Sequence, residues 1–198
     1  MASVAKANRS DTAVRILDLA EHLVQVHGYN GFSYADIATA LQVTKASLHY
    51  HFPSKAELGR SLMARYTEAF GKALAKIDLE TRRPIKKLES YIAIYANVLA
   101  GDRMCLCGML AAEFATLPTL VQAEVLRFFD FNETWLAAVL SEGRRDDQLA
   151  FEGRTIDVAR SIMASLEGAM MLARTYGDVE RFKHTSRRLL AEMRPRSG

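Results

Sequence analysis

Apolar residues recur at helical spacing along almost the whole chain and predict an all-α protein. Between Asp11 and His27 the residues Ile16, Ala20 and Val24 fall on one helix face, and a glycine follows as a stop. No segment alternates apolar and polar residues as a strand would. About nine helices are predicted in total, and the later eight lie at residues 34–41, 45–52, 54–77, 84–99, 103–117, 119–142, 155–176 and 179–193.

Two short helices joined by a tight turn occupy residues 33–55. Ser33 is placed to cap the first of them, and Asp36 follows at the spacing of a capping box. The turn is Gln42-Val43-Thr44, and Thr44 is placed to cap the second short helix.

The second short helix has an apolar face and a polar face. Leu48 and Phe52 lie four residues apart and are expected to point inward. The other faces carry Lys45, Ser47, His49 and Tyr50. Short polar side chains and a lysine suit the major groove of DNA, where side chains reach base edges and phosphates.

The charge of the chain is compatible with DNA binding without requiring it. The 198 residues have a formal net charge of +3 and a pI of about 8.9. Residues 42–56 contain Lys45 and Lys55 and no acid. Positive charge is therefore concentrated at the second short helix.

The predicted helices divide the chain into two domains. Residues 1–52 are expected to form a three-helix helix-turn-helix domain, and residues 53–198 a larger helical bundle. Polar residues interrupt every long apolar stretch, so none reaches the length of a membrane span, and the first ten residues lack the apolar core of a secretory signal. We therefore expect a cytoplasmic protein.

The run from Ala38 to Lys55 resembles the DNA-binding signature of the TetR family of bacterial one-component repressors. The likeness covers about residues 11–65, including Gly-Tyr-Asn-Gly-Phe-Ser at 28–33 and Leu-His-Tyr-His-Phe-Pro-Ser-Lys at 48–55. The rest of the chain matches that family in helix number and length. The resemblance implies a repressor that binds a palindromic operator as a dimer and is released by a small molecule.

Two positions depart from the usual pattern of that family. Gln42 stands where the family usually has glycine, which tolerates a positive φ more easily by roughly 1 kcal/mol. The turn must therefore keep a negative φ or carry strain. His49 stands where the family usually has a tyrosine that contacts phosphate.

The resemblance places the second short helix in the major groove. It implies that Lys45, Ala46 and Ser47 touch base edges, with His49 beside them. The backbone contacts that it implies are made by Ser33, Tyr34, Thr44, Tyr50, His51 and Lys55. For His51, capping of its own helix is an equal alternative.

One such helix reads only a few base pairs, so a homodimer is expected. The helix at 155–176 has a wide apolar surface, and Ala164, Gly168 and Ala169 would allow a second helix to approach closely. The final helix adds Phe182, Leu189, Leu190 and Met193. We expect these two helices to form the interface; the alternative is that their apolar residues fill the core of a single chain.

In the resembled family the larger domain binds a small-molecule effector. Met and aromatic side chains adapt to varied ligands, and acids within apolar helices suit polar or cationic groups. The residues expected to line such a pocket are Tyr91, Tyr95, Cys107, Met109, Glu113, Phe114, Phe128, Trp135, Met163, Glu167 and Met170. The alternatives are a place in the core for the apolar residues and a solvated face for the acids.

Cys105 and Cys107 are too few for a disulfide framework. On a regular helix residues two apart point about 200° apart, so no metal site is expected. One interpretation is a sensor of electrophiles or oxidants; the other is a pair of small buried apolar residues.

Two other classes of function are weaker. The chain has no His-Glu-x-x-His set and no glycine-rich phosphate loop, so an enzyme is not expected, and no cofactor is implied. A purely architectural DNA-bending protein would be more basic and would not need a large apolar second domain.

Overall fold

The computed structural model describes residues 2–195, with side chains from residue 11 onward. This part of the chain contains nine α-helices and no strand, which confirms the all-α prediction. The helices are α1 (Ala2–His27), α2 (Tyr34–Leu41), α3 (Lys45–His51), α4 (Lys55–Glu80), α5 (Pro84–Ala100), α6 (Leu106–Ala112), α7 (Thr119–Arg145), α8 (Thr155–Thr175) and α9 (Val179–Glu192), with a 3-10 turn at Phe114–Thr116 between α6 and α7.

Several helix ends differ from the prediction, and those of α3, α6 and α7 illustrate the differences. α3 ends one residue early because Phe52 is extended, as the residue before a proline prefers to be. α6 begins at Leu106 instead of residue 103, and residues 103–105 continue the loop that contains Asp102, which has a left-handed φ of 55°. α7 continues past its predicted end at residue 142, through Gly143, and ends at Arg145.

The chain forms two compact units that differ from the predicted division after residue 52. The first unit contains the chain up to Thr67 and also Leu106–Leu126. The second contains Glu68–Cys105 and the chain from Arg127 onward. In the first unit α6 packs against α1, so the three N-terminal helices share a core with residues from the middle of the chain.

The core of the first unit fixes the positions of the two short helices. α1 contributes Ile16, Ala20 and Val24, all fully buried. Ile37 of α2 and Leu48 of α3 are also fully buried, so each short helix is held by its apolar face.

The second unit is a helical bundle. α8 packs along α9, and α5 packs against both. Its largest fully buried side chains include Tyr91, Tyr95, Phe128 and Phe182. Two tyrosines in such a core need hydrogen-bond partners for their hydroxyls.

Candidate functional site

Side-chain caps define the starts of α2 and α3, as predicted. The Ser33 hydroxyl accepts the N–H of Ala35 at 3.2 Å, and Asp36 accepts the N–H of Ser33 at 2.7 Å, which completes a capping box. These hydrogen bonds from Ser33 lower the pKa of the exposed Asp36 carboxyl. The Thr44 hydroxyl accepts the N–H of Ser47 at 3.1 Å.

Gln42 sits in the left-handed region, with φ 55° and ψ 42°. Of the two possibilities left by the sequence, the turn therefore carries the strain of a non-glycine residue at positive φ. Two backbone hydrogen bonds close the turn: Gln42 N–H donates to Thr39 at 3.2 Å and Val43 N–H donates to Ala38 at 3.0 Å.

α3 is anchored on one side and open on the other. Leu48 is fully buried and Phe52 is 7% exposed, which confirms their predicted place in the core. The exposed residues of the helix are Lys45, Ala46, His49 and Tyr50, and Ser47 and His51 are half-buried. Tyr50 is 64% exposed and lies edge-on to the His51 ring, with centroids 5.2 Å apart. The open face thus carries polar and aromatic side chains, which are of the kinds that contact bases and phosphates in a DNA groove.

Tyr34 and His49 link α2 to the end of α3. Their rings lie 4.9 Å apart, and the Tyr34 hydroxyl donates to the carbonyl of Phe52 at 2.8 Å. The Nδ1 atom of His49 lies 3.1 Å from the carbonyl of Pro53. Both residues, predicted as DNA contacts, therefore also hold the helix-turn-helix together.

Lys55 has a structural role that its sequence position did not reveal. Its ammonium donates to the carbonyls of Tyr29 and Phe32, and lies 4.6 Å and 4.2 Å from the centres of their rings. Burial lowers the pKa of Lys55, and the carboxylates of Glu113 and Asp36 oppose that shift. The predicted phosphate contact would have to use the remaining N–H of an ammonium that already holds the α1–α2 loop.

Glu113 departs most clearly from its predicted role. Its carboxylate accepts the N–H of Tyr29 at 2.5 Å and the N–H of Asn30 at 3.2 Å, in the same loop that Lys55 holds. The side chain of Asn30 also donates to Thr116 at 2.8 Å. The contacts of Glu113 are those of a clasp between the end of α6 and the helix-turn-helix, instead of those of a ligand-pocket residue.

Three further predicted pocket residues also belong to the first unit. Cys107 is fully buried, and its sulfur lies 3.9 Å from that of Met63. Met109 and Phe114 are half-buried. Cys107 is therefore a core residue with a buried thiol.

Tyr91 and Tyr95 form the centre of a polar and aromatic cluster in the second unit. Their hydroxyls lie 3.0 Å apart, and that of Tyr91 donates to Asn132 Oδ1 at 3.1 Å. Phe128 is fully buried, with its ring 5.1 Å from that of Phe70. The cluster joins α4, α5 and α7.

Trp135 lies at the edge of the same cluster. Its ring stacks on that of Tyr91 at 5.5 Å, and its indole N–H donates to Asp78 at 2.9 Å. As the only tryptophan of the chain, Trp135 is a built-in fluorescent reporter of this region.

Glu167 is a buried acid of the second unit that lacks a strong hydrogen-bond donor. No N–H or O–H group donates to its two buried carboxyl oxygens, and Met163 and Met170 on either side of it in α8 are buried too. Burial raises the pKa of Glu167 well above its usual range, and the neighbouring Cys105 thiol raises it further. Cys105 itself is buried.

Asn132 and Asp78 were missed by sequence reasoning. Asn132 is fully buried and orients the tyrosine hydroxyls, with its own amide donating to the carbonyl of Phe128 at 2.9 Å. An asparagine four residues after one core aromatic and four before a core leucine is the signal that would have found it. Asp78 gives no comparable signal, because its position in α4 is that of an ordinary exposed acid.

Neither a metal site nor a membrane-spanning helix is found among the described residues. No group of three or more His, Cys, Asp or Glu side chains there is placed to hold a metal ion. None of the described helices combines the length and apolar character needed to cross a membrane.

Comparison with known proteins points to one family. Residues 16–62 match the family model of bacterial regulatory proteins of the tetR family, and residues 84–189 match that of a tetracyclin repressor-like C-terminal domain. The HTH-type transcriptional repressor DhaR of Mycobacterium sp. (strain GP1) is 26% identical over 148 residues, which are 73% of this chain and 73% of that protein.

Two solved structures have the same fold over nearly the whole chain. A tetR-family transcriptional regulator from Agrobacterium tumefaciens is 33% identical, with a TM-score of 0.92, over 94% of this chain and 100% of its own. A TetR transcriptional regulator from Legionella pneumophila is also 33% identical, with a TM-score of 0.83, over 91% of this chain and 96% of its own.

Proposed function

Because the chain belongs to the tetR family of bacterial regulatory proteins, we propose that it is a repressor that binds a palindromic operator as a homodimer and is released by a small molecule. The family consists of DNA-binding transcriptional regulators, so the chain is a regulator and not an enzyme. The repressor DhaR among its relatives supports the direction of regulation. Such a regulator acts in the cytoplasm, where bacterial DNA is.

The observation that carries the proposal is the open face of α3. The start of α3 has no acidic residue. The residues that would read bases lie there and are Lys45, Ala46 and Ser47. The proposed phosphate contacts are Ser33, Tyr34, Thr44, Tyr50, His51 and Lys55, with His49 between the two groups. The phosphate contacts fix the register of the helix on DNA without choosing a sequence.

The proposed dimer interface is centred on α8. Met171, Leu172 and Tyr176 are 52%, 57% and 63% exposed, and exposed apolar side chains grouped in this way support an interface. Next to them a side chain added at Gly168 would meet no atom within 4 Å, so a second helix has room to approach.

α9 contributes less to this surface than its sequence indicates. Phe182 is fully buried and Met193 is 5% exposed, so both fill the core of one chain, as the alternative interpretation required. Leu189 and Leu190 are half-buried. The proposed interface therefore rests mainly on α8, with the outer side of α9 beside it.

A selection experiment tests the proposed function. The protein is incubated with a library of random duplexes and with DNA from upstream of its own gene, at about 150 mM salt and with nonspecific competitor. We expect enrichment of a near-palindrome whose half-sites are about one helical turn apart. Binding of all duplexes with similar affinity would contradict a sequence-reading repressor and favour an architectural protein.

A further inference from the structure

The buried carboxyl of Glu167 lacks a strong hydrogen-bond donor and a positively charged partner in the protein alone. No N–H or O–H group donates to its two oxygens, which leaves the weak S–H donor of Cys105 as their one neighbouring donor, and among the described residues the only other buried side-chain oxygen without a partner is the Thr67 hydroxyl. No lysine, arginine or histidine is among the groups that shift its pKa. A buried acid in this state is costly unless it is neutral or a partner arrives from outside.

The directions of the hydrogen bonds between the hydroxyls near Glu167 are fixed. The amide of Asn132 donates to the Phe128 carbonyl, so its oxygen is the acceptor for the Tyr91 hydroxyl. Tyr91 has thereby used its only proton, and Tyr95 must be the donor in the bond between the two hydroxyls. The Tyr95 oxygen is left with lone pairs alone.

Tyr95, Cys105 and Glu167 lie close together in the second unit. Burial raises the pKa of the Tyr95 hydroxyl well above its usual range, and the neighbouring Tyr91, Cys105 and Glu167 each raise it further. The cluster thus presents acceptor oxygens on two sides, from the tyrosine and from the acid. The donor that remains beside the acid is the weak S–H of Cys105, and no positively charged side chain is among the groups that shift its pKa.

The surroundings suit a small apolar molecule. Met163 and Met170 lie one helical turn to either side of Glu167 on α8, and their flexible thioethers can shift to admit a guest. The rings of Tyr91 and Tyr95 add electron-rich faces, which attract cations.

We propose that Glu167 and Tyr95 form the recognition point for an effector with an apolar body and a protonated nitrogen, that is, an amine or amidine. The N–H groups of such a ligand would be shared between the carboxylate and the tyrosine oxygen. This inference rests on the proposed function, since it names the chemical class of the effector that releases the repressor.

The Cys105 thiol is a weaker candidate for the recognition chemistry. A thiol reacts with electrophiles and oxidants as the thiolate, and thiolates form beside positive charge. Cys105 is buried and stands beside an acid, so its surroundings disfavour the thiolate. The acid, and not the thiol, is the group whose chemistry is unsatisfied.

The test compares probes of one shape and different charge. 2-Phenylethylamine, 2-phenylethanol and phenylacetate are titrated into the full chain without DNA, together with ethylamine and hexylamine to vary size. Binding is followed by Trp135 fluorescence and by calorimetry. We expect the best amine to bind about ten- to a hundredfold more tightly than its alcohol and the carboxylate not to bind, as a charge-assisted hydrogen bond in a buried site requires.

Variants of Glu167 and Tyr95 test whether these two residues cause the preference for the amine over the alcohol. Glu167→Gln keeps the shape of the side chain and removes its charge, so the amine and the alcohol should bind alike. Tyr95→Phe removes one acceptor and should reduce the preference in part. Glu152→Gln changes an exposed acid of the same unit and should leave the preference unchanged.

Three outcomes would overturn the inference: no amine binds the wild type, the amine and the alcohol bind it equally, or Glu167→Gln keeps the preference. Operator binding is measured on the same samples. If the amine preference fails while selective DNA binding persists, only the nature of the effector is wrong. If the preference holds without selective DNA binding, the proposed function fails instead.

Discussion

The carboxylate of Glu113 accepts the backbone N–H of Tyr29 at 2.5 Å, across 84 residues of sequence. The same carboxylate accepts the N–H of Asn30, and the fit is close: a β-carbon at Gly28 would lie 2.9 Å from it. The clasp explains why residues of the middle of the chain belong to the compact unit that contains α2 and α3. It also makes Glu113 a structural part of the DNA-reading head.

Removing the clasp should destabilise the protein. Glu113→Ala leaves the partly buried N–H of Tyr29 and the exposed N–H of Asn30 without their charged acceptor, and we expect the free energy of unfolding to fall by about 1–3 kcal/mol. Urea denaturation at fixed protein concentration measures the change. Glu80→Gln, which alters an exposed ion pair of α4 with Lys76, is the control and should change stability by less than about 0.5 kcal/mol. Equal free energies of unfolding for the two variants would show that the hydrogen bonds of Glu113 do not stabilise the protein.

Replacing Gln42 by glycine should relieve strain in the turn. Glycine adopts a φ of 55° freely, while its greater freedom in the unfolded chain offsets part of the gain, so we expect a net stabilisation of about 0.5–1 kcal/mol. Thermal unfolding would report it as a higher Tm. Gln42→Ala keeps the strain and should not stabilise the protein; a glycine variant that is less stable than wild type would contradict the strained turn.

Lys55 and Lys45 should behave differently when they are truncated. Lys55→Met removes the donor that holds two backbone carbonyls of the α1–α2 loop, and we expect a loss of about 1–3 kcal/mol in the free energy of unfolding. Lys45→Ala removes an exposed side chain and should change stability by less than about 0.5 kcal/mol. Paired urea denaturation curves decide the matter, and similar losses in both variants would show that Lys55 has no special structural role.

The pH dependence of stability should carry the signature of Glu167. Its pKa in the folded protein is raised above the ordinary 4.5 by burial and by Cys105, and Tyr95 is its other titratable neighbour. The folded state therefore holds the proton more strongly, and this contribution to stability is lost as pH rises from about 4.5 toward the folded pKa, at up to about 1.4 kcal/mol per pH unit.

Glu167→Gln should remove that slope. The difference in unfolding free energy between variant and wild type should grow in favour of the variant between about pH 5 and pH 7, as measured by urea denaturation at a series of pH values. Glu152→Gln, on an exposed loop, should show a constant difference. A constant difference for Glu167→Gln as well would mean that the carboxyl titrates as in water.

The α8 surface should hold the dimer together. Leu172→Glu places a charge in the middle of the exposed apolar residues, and we expect the protein to become monomeric at micromolar concentration in sedimentation experiments. Leu79→Glu is the matched control, because Leu79 is 89% exposed but lies on α4. Dimers of equal stability in both variants would place the interface elsewhere.

Local signals made the helix-turn-helix predictable. Ser33 and Thr44 cap their helices through neighbours at most three residues away, and Leu48 and Phe52 share a face at helical spacing. These features depend on short stretches of chain. For the same reason the presence of nine helices was predicted, while some of their ends were not.

The contacts that sequence reasoning missed are nonlocal. Nothing near Glu113 indicates that it meets a loop 84 residues earlier, and the residues around Lys55 do not show that it donates to that loop. The missing partners of Glu167 are a property of three-dimensional packing as well. Gln42 is intermediate: the sequence identified the conflict with positive φ, and only the backbone shows that the strain is carried.

The central claim is that α3 chooses a DNA sequence, and the most direct measurement is the ratio of affinities for the selected palindrome and for random DNA of equal length. At about 150 mM salt we predict a ratio of about a thousand or more for the wild type. Lys45→Ala should lower it by about tenfold or more, whereas Lys76→Ala, an exposed lysine of α4, should leave it unchanged. A ratio near one in the wild type, or equal ratios in all three proteins, would contradict the claim.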